Sequence, residues 1–326
     1  MTRTGRPDDR HRGWLTPDGS PPDVTTHVLA HLSDTHLTVA GTRYNGVLDS
    51  DAALHRAVAV LQEAVAGGRR LDAVVLSGDL ADTGDPDAYR RLAAAVTTIG
   101  AVPIFAVGNH DVRTTLHREL LARTDSGPIL QVHELAGLRV LVLDSTVPGA
   151  GHGRLTADHL DELRNELRRP AERGSILVLH HAPIRPPSPL LSYFALESGS
   201  RAALADAIAG TDVRLVLAGH HHIAQSGLLG AVPVAVAGAT AIRTDPLAGP
   251  GHDRTWASGS FNLVEVYPGD IVVSVVPVDG ADQVFDLDEA GCRAVIAQHP
   301  IAQHPIEGLS VPGAPSADRS PNTSGS

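Results

Sequence analysis

The chain has 326 residues, and its 37 acidic side chains against 26 basic ones give a formal net charge of −11. Hydrophobic residues make up 42% and mean hydropathy is −0.01, enough for one large core or two domains and far from a membrane-embedded composition. Aromatics are only 3% and arginine replaces lysine throughout, so neither a stacking platform for single strands nor a net basic face for duplexes is available, and nucleic acid is excluded as a main partner.

Residues 1–26 are rich in Arg, Asp, Pro and Gly without an apolar period and read as a disordered arm; they lack the apolar core of a secretory signal. An apolar run at 28–32 predicts a strand, followed by a helix at 50–66, a strand at 73–76, a helix at 86–99 and a strand at 102–107. This β-α-β-α-β order implies parallel strands joined by right-handed crossovers. A strand at 138–143, a helix at 157–168, a strand at 176–179, a helix at 201–208 and a strand at 213–217 continue the alternation. The last third predicts strands at 232–236, 261–266 and 271–276 with little helix, while Pro-rich 183–189 and Gly-rich 245–260 are loops. A mostly parallel half followed by an antiparallel half points to two sheets packed face to face with helices outside.

The chain is read as one domain over 27–280, an extension with a short helix over 281–306 and a Ser/Pro/Gly-rich disordered tail over 307–326. Within the extension Ile-Ala-Gln-His-Pro at 296–300 repeats as 301–305, too short for a solenoid, so His299 and His304 read as copies without function. The single cysteine, Cys292, excludes a disulfide framework and a cysteine-rich zinc site, which fits a reducing compartment. With no apolar run near the ~18 residues that span a membrane, the expected location is cytoplasmic.

The chemistry sits at strand ends. Asp34-Thr35-His36 follows the first strand, Gly78-Asp79 the second and Gly108-Asn109-His110-Asp111 the third; His180-His181 ends the strand at 176–179, and Gly219-His220-His221-His222 follows that at 213–217. Ligands in α/β sheets sit at this carboxyl edge. Pleat alternation would put Asp34 and His36 on one face with Thr35 away, pair His220 with His222, and let only one of His180 and His181 face a site. Alone, each motif has a plain alternative: a turn, a solvated loop, a hydrogen-bonded cap. Five in this order, each at a strand end, are not expected by chance. The inventory of carboxylates, an amide and imidazoles suits Mn, Fe or Zn and lacks structural-zinc thiolates. It is too large for one ion and suits two sharing a bridging Asp. Two divalent ions, two carboxylates and a bridging hydroxide sum to about +1, attractive to phosphate despite the acidic surface.

This ordered set resembles the calcineurin-like metallophosphoesterase superfamily, whose pattern runs D-x-H, G-D, G-N-H-[DE], H, G-H-x-H, over about residues 27–280. The resemblance implies a four-layer α/β/β/α sandwich of two mixed sheets flanked by helices, with a dinuclear site of divalent or trivalent ions, Fe or Mn first and Zn also compatible. It assigns Asp34, His36 and His222 to one metal, Asp79 as bridge, and Asn109, His180 and His220 to the other; His180 is taken over His181 because the family ligand comes first in a His-His-x-Pro run. It makes His110 the catalytic His that contacts phosphate and protonates the leaving group, with Asp111 as orienting partner. His36, Asp79, Asn109, His110 and His222 would also touch substrate, with His152 in Gly151-His152-Gly153 a weaker candidate. Tyr44 and Phe194 could stack a base or simply pack.

Ser33-Asp34-Thr35-His36-Leu37, Gly78-Asp79-Leu80-Ala81-Asp82 and Val107-Gly108-Asn109-His110-Asp111, with Leu143-Asp144-Ser145-Thr146-Val147-Pro148-Gly149 in support, are similar to the class III cyclic-nucleotide phosphodiesterases. The implied reaction is hydrolysis of 3′,5′-cAMP or cGMP to the 5′-monophosphate by a metal-bound hydroxide. The alternatives are other small phosphodiesters (glycerophosphodiesters, 2′,3′-cyclic nucleotides), nucleotide pyrophosphates, or a non-catalytic metal-binding scaffold, the last disfavoured because no ligand and no acid is missing. Homodimers occur in the family, but no stripe of residues here identifies an interface.

Overall fold

The computed structural model of the chain describes residues 24–298. The expectations for the arm before residue 24, for the repeat at 301–305 with His299 and His304, and for the tail at 307–326 lie outside the described residues. The described chain forms two compact units that divide after Ala281. Of the second, one helix is described, Glu289–Gln298, with an Arg293–Glu289 ion pair one turn apart on its surface.

The first unit opens with β1 (His27–Leu32), α1 (Ser50–Ala66), β2 (Ala73–Leu76), α2 (Pro86–Thr97), β3 (Val102–Phe105) and α3 (Arg113–Leu120). There follow β4 (Leu130–Leu135), β5 (Leu138–Leu143), α4 (Ala157–Leu167), β6 (Ser175–His181), α5 (Pro189–Tyr193), α6 (Ser198–Ile208) and β7 (Val213–Gly219). It closes with β8 (Gln225–Leu229), β9 (Val232–Val236), the two-residue strands β10 (Arg243–Thr244) and β11 (Thr255–Trp256), β12 (Ser260–Val266) and β13 (Ile271–Pro277). Among the described residues no helix is long and apolar enough to cross a membrane.

Two mixed sheets result, ordered β13-β12-β1-β2-β3 and β4-β5-β6-β7-β9-β8. Strands β1 to β3 run parallel, as do β5, β6, β7 and β9; β12, β13, β4 and β8 are the antiparallel additions. The sheets therefore do not correspond to the two halves of the chain: β12 returns from the C-terminal third to pair with β1, and β13 adds to its outer edge. Strand β3 also stops two residues before the expected end, because its neighbour β2 ends at Leu76, the partner of Phe105. The helices α3 and α5, the edge strands β4 and β8 and the short strands β10 and β11 are absent from the sequence-based expectation, and β11 lies within the Gly-rich stretch 245–260 expected to be a loop. An edge strand buries little and needs no clean apolar period; Ser226 and Leu228 of β8 are both exposed.

Three apolar layers separate the four structural ones. Leu54, Leu61, Leu92 and Val96 of α1 and α2 pack on Ala30, Leu32, Val74 and Leu76 of the first sheet. Leu160, Leu163 and Leu204 of α4 and α6 pack on Leu141, Leu177 and Leu179 of the second. Between the sheets lie Leu29, Val75, Ile104, Val140, Ile176, Val178 and Leu217. Alternation along each strand, period two, assigns these faces. Two-sided burial hides in the sequence which of His180 and His181 faces the other sheet, and a register shift between Val178 and His181 interrupts the parity there; the 2.8 Å bond from His180 Nδ1 to Ser77 O turns His180 to the first sheet. Capping sets the helices: Asp85 accepts from the Ala88 N–H at 3.0 Å with Pro86 in the first turn of α2, next to the second strand-end motif.

Candidate metal centre

The carboxyl ends of β1, β2, β3, β6 and β7 converge, and the chain leaves each strand sharply. Asp34, His36, Asp79, His220 and His222 all adopt positive φ, between 43° and 70°. For non-glycine residues this left-handed conformation costs about 1–2 kcal/mol each, and such strain concentrates at functional sites. Asp34 and His36 are not paired by pleat alternation, since β1 ends at Leu32. A turn brings both inward, while Thr35 donates to the Leu80 carbonyl at 2.7 Å. Glycine permits the crowding: a Cβ on Gly219 would lie 1.8 Å from Ser33 Oγ, and one on Gly78 (φ 101°) would lie 2.6 Å from His180 Nδ1.

Two groups of donors share one carboxylate. Around Asp34, His222 Nε2 lies 3.3 Å from Oδ1, and His36 Nε2 lies 3.1 Å from His222 Nε2. Asp79 Oδ1 accepts the His110 N–H at 2.8 Å, which leaves Oδ2 between His36 Nε2 (3.8 Å) and His180 Nε2 (3.4 Å). On the far side, His180 Nε2 is 3.1 Å from Asn109 Oδ1. His180 and His220 rings stand 5.1 Å apart. All seven candidate ligands are thus brought together, with Asp79 in the middle.

The hydrogen bonds behind the ligands suit cations. Carbonyls only accept, so the 2.8 Å bond from His180 Nδ1 to Ser77 O and the 3.0 Å bond from His220 Nε2 to Phe194 O fix the protons there. The opposite nitrogens, His180 Nε2 and His220 Nδ1, are the ones left to ligate. His36 Nδ1 lies 3.4 Å from Asp82 Oδ1, within ion-pair distance but without a hydrogen bond. Burial works to raise the carboxyl pKa of Asp34 and Asp79, but the charges and hydrogen bonds of His222 on the first and His180 on the second hold both well below the usual range. Burial would lower His180, yet the Asp79 charge and hydrogen bond push it up to about 9; a metal at this nitrogen would compete with its proton.

His181 belongs to the same buried imidazole group as His180 and His220, but both its nitrogens are used. Nδ1 bonds Ser145 Oγ at 2.9 Å and Nε2 donates to the Gly151 carbonyl at 3.1 Å. His221 is likewise buried and turned to Gln225 Oε1 at 2.7 Å. His110 stands at the mouth, 41% exposed, its ring 4.7 Å from that of His36. The carboxylate beside it is Asp82, not Asp111: His110 Nδ1 is 3.3 Å from Asp82 Oδ1 and 3.1 Å from Asp82 O. That bond outweighs burial and pushes His110 up to about 9. Asp111 instead accepts the N–H groups of Leu80, Ala81 and Gly108 and the Tyr89 hydroxyl, lashing two strand-end loops together; burial first, then Asp79, pushes it up to about 7. Asp82 was within the motif read from the sequence, three residues after Asp79, but spacing alone gave it no role. His152 lies 3.4 Å from Glu197 Oε1 at the surface and touches none of the seven. Tyr44 packs its ring 4.9 Å from His36.

Known proteins share this framework. The calcineurin-like phosphoesterase family matches residues 27–224. A cAMP/cGMP dual specificity phosphodiesterase of Mycobacterium tuberculosis is 41% identical over 287 residues, covering 86% of this chain and 88% of that protein. A Rhodococcus erythropolis protein named "Probable cyclic nucleotide phosphodiesterase" is 41% identical over 296 residues, covering 87% and 96%. Among solved structures, a purple acid phosphatase of yellow lupin seeds superposes with a TM-score of 0.59 at 13% identity, over 82% of this chain and 54% of that longer one, a likeness of fold alone. The chain belongs to the calcineurin-like phosphoesterase family, and within it to the phosphoric diester hydrolases.

Proposed function

We propose that the chain hydrolyses 3′,5′-cyclic nucleotides to 5′-nucleoside monophosphates at a dinuclear metal centre. The observation that carries this reading is the pair of donor groups meeting at Asp79 Oδ2, supported in substrate class by the relative named as a cAMP/cGMP phosphodiesterase. Asp34, His36, Asp79 and His222 would hold one ion, and Asp79, Asn109, His180 and His220 the other. The all-N/O donor set fits Mn or Fe, with Zn also compatible. When bound, such ions supply Lewis-acid polarisation of the phosphoryl group and activation of the attacking water.

The chain's own residues do the rest. Asn109 and His110 face the equatorial phosphoryl oxygens. His110, held at Nδ1 by Asp82, keeps its Nε2 proton for the leaving O3′ as the P–O3′ bond breaks and the water oxygen joins phosphorus. Protonated below its raised pKa, the acid is present at neutral pH and lost as pH rises through it. Asp82→Asn removes the largest cause of that rise and leaves the Asp79 charge and the Asp82 main-chain carbonyl against burial, so the alkaline limb of the rate profile is expected to move to lower pH. An unmoved limb would take Asp82 out of this role.

The first test is initial-rate hydrolysis of cAMP by Mn²⁺-loaded protein, with an EDTA control and bis(p-nitrophenyl) phosphate in parallel. Turnover of both, abolished by EDTA, with kcat/KM for cAMP near ~10⁴ M⁻¹s⁻¹ or above supports the reading. Turnover of the model diester alone would move the substrate to another small phosphodiester.

A further inference from the structure

His220 is held from outside the strand-end motifs. Its Nε2 donates to the main-chain carbonyl of Phe194 at 3.0 Å, and Phe194 follows the short helix α5 at the rim of the site. A backbone carbonyl is only as well placed as the residue that carries it, and the Phe194 ring is one of the contacts that hold this one. The ring lies directly on Gly151: a Cβ there would fall 2.7 Å from Phe194 Cδ1 and 3.1 Å from Cε1. Its other side meets the Tyr193 ring at 5.0 Å. The chain after it is stitched to the same glycine loop, with Gly153 N–H donating to Ala195 O at 3.3 Å and Glu197 N–H to Gly153 O at 3.0 Å. The loop in turn is held from beneath by His181 Nε2 on Gly151 O, at 3.1 Å.

We propose that Phe194 is a positioning residue for His220: by wedging its ring on Gly151 it fixes the carbonyl that sets the tautomer and angle of this imidazole, and so tunes the affinity of one of the two metal positions. The proposal rests on the dinuclear reading above. Outer partners of metal-bound histidines are worth about 10–100-fold in metal affinity. The other group of donors, around Asp34, His36 and His222, meets His220 through the main-chain N–H that Asp34 accepts at 3.0 Å, which a change in the angle of the imidazole leaves in place. Substitutions in the 151–153 loop, remote in sequence from every ligand, then act on one metal through this ring.

The test is Mn²⁺ titration of metal-free full-length protein, followed by electron paramagnetic resonance, for the wild type, Phe194→Ala, Phe194→Tyr, Gly151→Ala and the Gly151→Ala/Phe194→Ala double variant. Thermal melts of the metal-free proteins check folding. The wild type is expected to take two equivalents. Phe194→Ala should weaken one of them by about 10–100-fold and leave the other in place, and Phe194→Tyr, which keeps the ring, should restore it. Gly151 needs no positive φ, so its added methyl acts only by striking the ring. Gly151→Ala should therefore reproduce the selective loss, and the double variant should be no worse than either single one. Equal weakening of both equivalents, no weakening, or additive losses in the double variant would overturn the proposal. A wild type that takes fewer than two equivalents overturns the dinuclear reading itself, and this inference with it.

Discussion

Asp79→Asn is expected to abolish hydrolysis and cut bound metal from two ions per chain to one or none, as read by metal analysis after desalting. The change is nearly isosteric: Asn Oδ1 can still accept the His110 N–H that Asp79 Oδ1 accepts at 2.8 Å. What is lost is the charge on the one oxygen that lies 3.8 Å from His36 Nε2 and 3.4 Å from His180 Nε2. A unit charge pair at ~4 Å with an effective dielectric of ~20 is worth about 4 kcal/mol, roughly a thousandfold in affinity for each unit of cation charge. Because His180 is raised by the same carboxylate, its pKa should fall in the metal-free variant, visible in the imidazole proton shifts. Retention of two tightly bound ions with an unchanged rate would remove Asp79 as the bridge.

His110→Gln is expected to leave both metals bound and lower kcat for cAMP by about 10²–10⁴-fold, the usual contribution of a positioned general acid. The side chain is at the mouth rather than in the buried core of the site, 41% exposed, so its removal leaves the seven ligands in place. The decisive comparison is the leaving group. An alkoxide such as O3′ needs its proton, whereas p-nitrophenolate leaves without one, so the same variant should lose far less activity on bis(p-nitrophenyl) phosphate. An equal loss on both diesters would assign His110 to phosphate binding and not to proton transfer.

How far the sequence alone reaches can be judged at particular residues. The strand-end clustering of Asp34, His36, Asp79, Asn109, His180, His220 and His222 was legible because each follows a short apolar run, and both the run and the polar break after it are local patterns. The four-layer architecture followed from the alternation of such runs with helical periods, together with the family resemblance. The assignment of β12 and β13 to the first sheet was not legible. The pairing of β12 with β1 spans more than two hundred residues, as in His27 with Val266, and no local pattern encodes a partner at that separation.

Asp82 and Asp111 both lie within a few residues of motif positions, so their places in the chain do not distinguish them. Only the loop geometry sets one against His110 Nδ1 and turns the other onto the N–H groups of Leu80, Ala81 and Gly108. The left-handed backbone at five of the ligands was likewise not legible: Asp and His are enriched at positive φ, but most of them lie elsewhere, so residue type does not single out these five. The carbonyls of Ser77 and Phe194 are an extreme case: every residue has one, and which carbonyl meets a histidine is settled by packing alone. By itself, then, the sequence determined the inventory of chemistry and the edge of the sheets where it gathers, because both depend on short-range order. The tertiary structure alone decided which carboxylate serves His110, which nitrogen of each histidine is left to ligate, and which loop holds His220, because those depend on contacts between segments far apart in the chain.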